Sequence, residues 1–156
     1  MSVREPARPR RNLRPRDALG RPLPYGSAGE PPSAEPGPAL DPVDSLIQAQ
    51  QLLAAGRPFH AHEVLEDQWK AAPAEERELW RGLAQLAVGI THAARGNRVG
   101  ARRLVQRGRD NVARFSRSAP HGLDVDALLS WSDQALAEID AGRSALTSPR
   151  FVGPNQ

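Results

Sequence analysis

The side chains with the greatest chemical capacity in this chain lie in one short run, Phe59-His60-Ala61-His62-Glu63-Val64-Leu65-Glu66-Asp67-Gln68-Trp69. Read as a helix, positions 59, 62, 66 and 69 fall at spacings of three, four and three and share a face. Phe59 and Trp69 make the ends of that face apolar, with Leu65 beside them. His62 and Glu66 occupy its middle. An imidazole and a carboxylate on a face that packs against a core must find partners. Burying a neutral polar group without one costs roughly 2–7 kcal/mol, and burying a charge costs more.

Two chemistries are open to this pair. A histidine and a carboxylate at i, i+4 can hold a divalent metal, and His92, on another helix, can supply a third ligand. Glu63 would then be the general base of a metal-dependent hydrolase. The pattern is not the His-Glu-x-x-His of zinc peptidases, because Glu66 stands where the second histidine should be. It is also not repeated on a second pair of helices, as di-metal bundles require. The other chemistry is a polar network that fixes helix register or holds a small ligand without catalysis, and this is the favoured reading. Glu66 or Glu63 pairs with Arg81 or Arg95, His62 bonds Gln85 or a backbone carbonyl, and Trp69 flanks the centre. If Glu66 belongs to a buried pair, Glu66→Ala should cost about 3–5 kcal/mol.

The remaining candidates are weaker. His60 lies about 160° round the helix from His62, because two residues turn about 200°, so it does not share that site. His121 reads as a solvated loop residue. Trp80 reads as core. Trp131 falls off its helix's inward stripe, so it could cover a groove or sit in an interface, which leaves a homo-oligomer open.

These groups must be positioned by helices, since no strand period occurs anywhere in the chain. Asp41 or Asp44 can cap a first helix to about Ala55, with Val43, Leu46, Ile47, Leu52 and Leu53 inward and Gly56 as its stop. The central helix follows from Pro58 to about Ala72. Pro73 opens a third helix that runs to Arg95, with Glu75 and Glu76 in its first turn, where they complement the dipole. On it, Trp80, Leu83, Ala87, Ile90 and Ala94 form an apolar stripe. Arg81, Gln85, Val88, His92 and Arg95 form a second, polar stripe, and the two together predict neighbours on two sides. Asn97 caps a fourth helix to about Phe115, with Ala101, Leu104, Val105, Gly108, Val112 and Phe115 inward. Asp124 caps a fifth, with Val125, Leu128, Leu129, Leu136 and Ile139 inward and Gly142 as its stop. Residues 42–142 thus read as one helical bundle, 143–156 as a loose tail, and 1–41 as a disordered Pro/Arg-rich arm.

Composition narrows the function classes. There is no cysteine, which removes disulfides, Cys-ligated zinc and thiol catalysis and is compatible with a cytoplasmic protein. No apolar run approaches the roughly 20 residues of a membrane span, and the N-terminus lacks the apolar core of a signal peptide. Formal net charge is +3, and the basicity is almost all arginine: Lys70 is the one lysine among 21 basic residues. Two stretches concentrate it. Residues 1–22 hold seven arginines against Glu5 and Asp17. The fourth helix carries Arg98, Arg102, Arg103, Arg107, Arg109 and Arg114, with Arg117 just beyond it, opposed only by Asp110. Together these could bind nucleic acid, but they spread round the helix and no aromatic residue interleaves them, so a solvated face is the plainer reading.

The run from Phe59 to Trp69, then Arg81-Gly82-Leu83-Ala84-Gln85-Leu86-Ala87, His92-Ala93-Ala94-Arg95-Gly96-Asn97, Gly100-Ala101 and Gly122-Leu123-Asp124-Val125-Asp126-Ala127-Leu128-Leu129 resembles the domain-of-unknown-function 309 family over roughly residues 44–140. The resemblance implies a small all-helical bundle found widely in bacteria and archaea, and no established activity. It implies signature positions at His62, Glu63, Glu66, Trp69, Gln85, His92, Arg95, Gly96, Asn97, Gly100 and Ala101. The glycines have structural explanations: Gly96 as a helix stop, and Gly100 with Ala101 as points of close helix approach. The polar members coincide with the centre isolated above.

Overall fold

A computed structural model describes residues 40–153. Five helices form in chain order: α1 (Pro42–Ala54), α2 (Pro58–Ala71), α3 (Arg77–Ala94), α4 (Arg98–Ala113) and α5 (Val125–Asp140). The architecture is all-α, and each helix packs chiefly on its neighbour in sequence, α3 on α4 most extensively. Most of the expected arm, residues 1–39, lies outside the described residues, as do residues 154–156.

Local chemistry sets the ends of the elements. Asp41, Asn97 and Asp124 cap α1, α4 and α5, their side chains accepting from the amides of Val43, Gly100 and Ala127. Three helices stop at a glycine with positive φ, Gly56, Gly96 and Gly142. At Gly96 the Gly96 amide bonds the Ala93 carbonyl and the Asn97 amide bonds the His92 carbonyl, a pairing that needs a left-handed residue at the stop. The chain enters α3 through a short 3-10 turn over Ala74–Glu76, so the α-helix begins at Arg77, later than Pro73 suggests.

The core gathers Leu46, Leu65, Leu79, Trp80, Leu83, Leu86, Val105, Val112, Leu128 and Ile139, all essentially inaccessible. The α3 helix is central, with neighbours on two sides as expected, but of the expected second face Gln85 alone has a hydrogen bond to α4, from Asn111, among the described contacts. The polar stripe of Arg81, Gln85, Val88, His92 and Arg95 is exposed or half-buried. Instead, α3 meets α4 through Gly82, Leu86, Gly89 and Ala93, all buried. A Cβ placed on Gly82 would stand 2.8 Å from Asn111 Cβ and 3.1 Å from the Gly108 carbonyl oxygen. On Gly108 it would stand 2.7 Å from the Gly82 carbonyl oxygen, and on Gly89 2.7 Å from Val105 Cγ2. The two backbones touch because these side chains are absent. Glycine carries little hydrophobic signal, so a seam of this kind is easily overlooked in a search for apolar stripes.

The expected loose tail is also corrected. Residues 143–148 are largely exposed, but the segment is anchored beyond them: Phe151 is fully buried, and Pro149 and Val152 are buried beside it. The Gln50 Oε1 atom accepts from the Phe151 and Val152 amides at 2.7 and 3.1 Å, and the Asp124 amide donates to the Phe151 carbonyl at 2.8 Å. Trp131, off its helix's inward stripe, packs against this segment and donates from Nε1 to the Thr147 carbonyl at 2.8 Å. Two prolines and scattered polar residues conceal the one aromatic anchor that orders the segment.

Candidate functional site

The α2 helix presents the residues that sequence reasoning marked. Its inward stripe is Pro58, Ala61, Leu65 and Gln68, at spacings of three, four and three. Gln68 is a polar member of a core stripe, and its amide donates to Ser45 Oγ at 3.1 Å and to the Leu40 carbonyl at 2.6 Å. These bonds pin α1 and the segment before it to α2. Nothing in the sequence distinguishes Gln68 from a surface glutamine except its register with Leu65.

Away from that stripe, His62 Nε2 lies 3.5 Å from Glu66 Oε2, and Lys70 Nζ lies 3.1 Å from Glu66 Oε1. The three side chains form an i, i+4, i+8 ladder in which one carboxylate serves two cationic or polar neighbours. Their side-chain exposures are 27%, 32% and 53%, so this is a half-exposed ridge and not a buried ion pair. Glu63, the expected general base, is buried at 8% exposure on the same helix. Phe59 and Trp69 are half-buried near its two ends, and the Phe59 ring contacts both His60 and His62. His60 Nε2 is 3.4 Å from the Arg57 guanidinium.

Of the other members of the expected centre, His92, Gln85 and Arg81 have partners within α3 and α4. His92 sits at the end of α3, where Asn97 Nδ2 approaches its Nδ1 at 3.0 Å while Asn97 Oδ1 accepts from the Gly100 amide. An amide nitrogen can only donate, so His92 Nδ1 must accept and the ring proton resides on Nε2. Burial, and then the charge of Arg95, lower the His92 pKa from its ordinary value. A Cβ on Gly100 would come within 2.5 Å of Asn97 Nδ2. Gly100 therefore leaves room for the cap and is not a point of helix approach, while Ala101 is fully buried on α4 close to Gly89. The motif His92-x-x-x-Gly96-Asn97-x-x-Gly100-Ala101 is one joint that turns α3 into α4. Gln85 accepts from Asn111 Nδ2 at 2.8 Å across the same helix pair, and Arg81 lies 3.8 Å from Glu78. Among the described residues, no three His, Asp or Glu side chains are grouped so that they could hold a metal ion.

The basic helix is partly consumed by packing. Arg98 donates to the Ile139 and Asp140 carbonyls at the end of α5, and Arg102 and Arg109 each make two hydrogen bonds to a carboxylate, of Asp140 and Asp133 respectively. The hydrogen bond to Asp133 raises the Arg109 pKa. Arg103, Arg107 and Arg114 remain exposed.

One polar pair escaped the sequence reading. His121, expected in solvent, is half-buried against Trp80, and its Nε2 is 2.6 Å from Glu76 Oε1. Ala119 and His121 both adopt positive φ, 38° and 59°. A non-glycine residue in this region costs on the order of 1–3 kcal/mol, which the Glu76 contact helps to offset. Only the neighbouring Pro120 and Gly122 hint at the turn.

Among the described residues, no helix is long and apolar enough to cross a membrane. Over 48 residues the chain is 46% identical to the uncharacterized protein YpuF of Bacillus subtilis (strain 168), a match covering 30% of this chain and 28% of that protein. No solved structure matches the chain significantly. The family match runs from within α1 to the first part of α4, a shorter span than the resemblance of roughly 44–140, and it contains both the α2 ridge and the α3–α4 joint. Residues 46–104 are thus a DUF309 domain, a domain of unknown function.

Proposed function

We propose that this protein is a non-catalytic binding domain whose recognition surface is the polar side of α2, and that the surface takes a cationic segment of a partner. The observation that carries this reading is the His62–Glu66–Lys70 ladder, held at 3.5 and 3.1 Å along a half-exposed helical ridge. A ridge offers charge to a macromolecule, whereas a catalytic site needs groups that converge on a concave pocket. Three carboxylates on α2, Glu63, Glu66 and Asp67, stand against Lys70 alone, which sets the sign of the partner. Phe59 and Trp69 supply apolar area near the two ends of the ridge, the kind of contact that anchors an interface.

Fluorescence anisotropy with a labelled arginine-rich peptide tests this. Binding should weaken several-fold in Glu66→Gln and Asp67→Asn and fade with added salt. A peptide bound equally well by wild type and both variants would remove the reading. Elemental analysis after dialysis against zinc, manganese and iron salts tests the metal-dependent hydrolase. A stoichiometric metal lost in a folded His62→Ala variant would replace the binding reading with it. A second reading, nucleic-acid binding, draws on the exposed Arg103, Arg107 and Arg114 of α4. It predicts salt-sensitive retardation of duplex DNA that disappears in Arg103→Glu/Arg107→Glu, and a chain that retards no DNA at low salt would dispose of it.

A further inference from the structure

Packing sorts the arginines of α4 into two lines of the same pattern. Arg98, Arg102 and Arg109, at i, i+4 and i+11, all turn to α5. Arg98 donates to the Ile139 and Asp140 carbonyls, and Arg102 and Arg109 donate to the carboxylates of Asp140 and Asp133. Arg103, Arg107 and Arg114 repeat that spacing five residues further on. Five residues turn about 500°, so the second line lies about 140° round the helix from the first. It also points away from α3, which packs on the buried Ala101, Val105, Gly108 and Val112. All three arginines of the second line are exposed, and among the described residues none of them meets a carboxylate. The spread of arginine round α4 is thus one line consumed by the fold and one left over.

We infer that the line of Arg103, Arg107 and Arg114 binds the phosphate backbone of duplex nucleic acid without reading its sequence, an assignment that rests on the nucleic-acid reading above and narrows it to one surface and one kind of contact.

The composition of the line selects this partner. From Arg103 to Arg114 the helix rises about 16.5 Å, and a DNA duplex carries one negative charge per roughly 1.7 Å of its axis. Each guanidinium therefore finds a phosphate in any register. A protein partner would require an apolar centre, yet the exposed residues bordering the line are Gln106 and Asp110, and Val99 stands only at its start. Single strands would require aromatic platforms, and α4 has no aromatic residue. Base readout needs side chains held in one orientation, whereas three guanidiniums without a protein partner suit phosphate oxygens, which carry no sequence information. Asp110 is the one carboxylate at the border of the line. It accepts from Gln106 and lies 4.0 Å from Arg109, but its charge still opposes a phosphate beside it and so limits the affinity.

Fluorescence anisotropy of the full chain with two labelled DNA duplexes of unrelated sequence tests the assignment. The two duplexes should bind alike. Arg103→Gln, Arg107→Gln and Arg114→Gln each remove an exposed charge and no internal bond. Each should reduce the slope of log affinity against log salt by about 1, and the triple variant by about 3. Asp110→Asn should tighten binding. Arg102→Gln/Asp140→Asn removes a pair facing α5 at constant net charge, and should leave both affinity and slope as in wild type. A triple variant that keeps the full salt slope would overturn the line and leave nucleic-acid binding to other arginines. Affinities about tenfold or more apart for the two duplexes would overturn contact through the backbone alone. Polyglutamate bound through the same three arginines more tightly than duplex would put an acidic protein in place of nucleic acid. No duplex bound even at low salt would remove the line and the nucleic-acid reading together.

Discussion

The polar side of α2 and the α3–α4 hairpin as far as the first part of α4 lie within the DUF309 span, with Gly108 beyond it, and both carry unusual residues. They use them differently. In the hairpin, each unusual residue is accounted for by backbone contact: Gly82 and Gly108 let two helices touch, Gly96 reverses the chain, Asn97 caps α4, His92 orients Asn97, and Gly100 leaves room for the cap. On α2, the bundle accounts for Pro58, Ala61, Leu65 and Gln68. The ladder of His62, Glu66 and Lys70 stays half-exposed. A polar residue that completes a fold and one that faces outward for a partner can look alike in sequence. What separates them is whether removing the side chain disturbs packing.

The sharpest way to test that contrast is Gly108→Ala. The added methyl would stand 2.7 Å from the Gly82 carbonyl oxygen and 2.8 Å from Leu86 Cδ2. A backbone oxygen cannot rotate away, so the helices must separate. Overpacking of this kind costs about 1–3 kcal/mol, read as a lowered urea midpoint. A midpoint matching wild type would mean that the seam is looser than the geometry requires, and the hairpin would lose its claim to be the rigid half of the domain.

Glu66→Ala is the counterpart on α2. A buried pair would lose about 3–5 kcal/mol, the sequence expectation. A half-exposed ladder should lose only about 0–1 kcal/mol. A loss near the larger figure in urea unfolding would return Glu66 to a structural role and erase the difference between the two regions.

The sequence made the helices legible because their ends are chemically marked: Asp41, Asn97 and Asp124 at the starts, and Gly56, Gly96 and Gly142 at the stops. The apolar positions of α1 and α5 were legible for the same reason that hydrophobic periodicity works at all. Three features were not, or only in part. The α4 side of the glycine seam was legible through Ala101, Val105, Gly108 and Val112, but Gly82 and Gly89 on the α3 side offered no hydrophobic residue to count. The closing segment around Phe151 depends on Gln50, about a hundred positions away, and no local pattern reports such a bond. The polar centre was assembled from residue types, and types do not give direction. His62 and Glu66 do approach each other, while His92, of equal chemical capacity, turns to its own helix joint.

His92 gives the smallest of these effects. Burial and then Arg95 hold its pKa below the ordinary imidazole value of 6.5, and protonating Nδ1 would remove the atom that accepts from Asn97. The unfolded chain therefore takes up this proton first. The contribution of neutral His92 is complete above about pH 6.5, and it is lost as pH falls from there through the lower folded-state pKa. In His92→Gln, whose side-chain oxygen can still accept from Asn97, the fall in urea midpoint below pH 6.5 should be shallower than in wild type, by a margin small enough to need paired measurements. An unchanged slope would show that His92 is not the titrating group. The double variant with His62→Ala sharpens the result: residues in separate regions should add to within about 0.3–0.5 kcal/mol, whereas co-ligands of one metal would couple strongly. Additivity would assign His92 to the hairpin and leave α2 to act alone; strong coupling would join the two regions into one site and undo the comparison on which the binding reading depends.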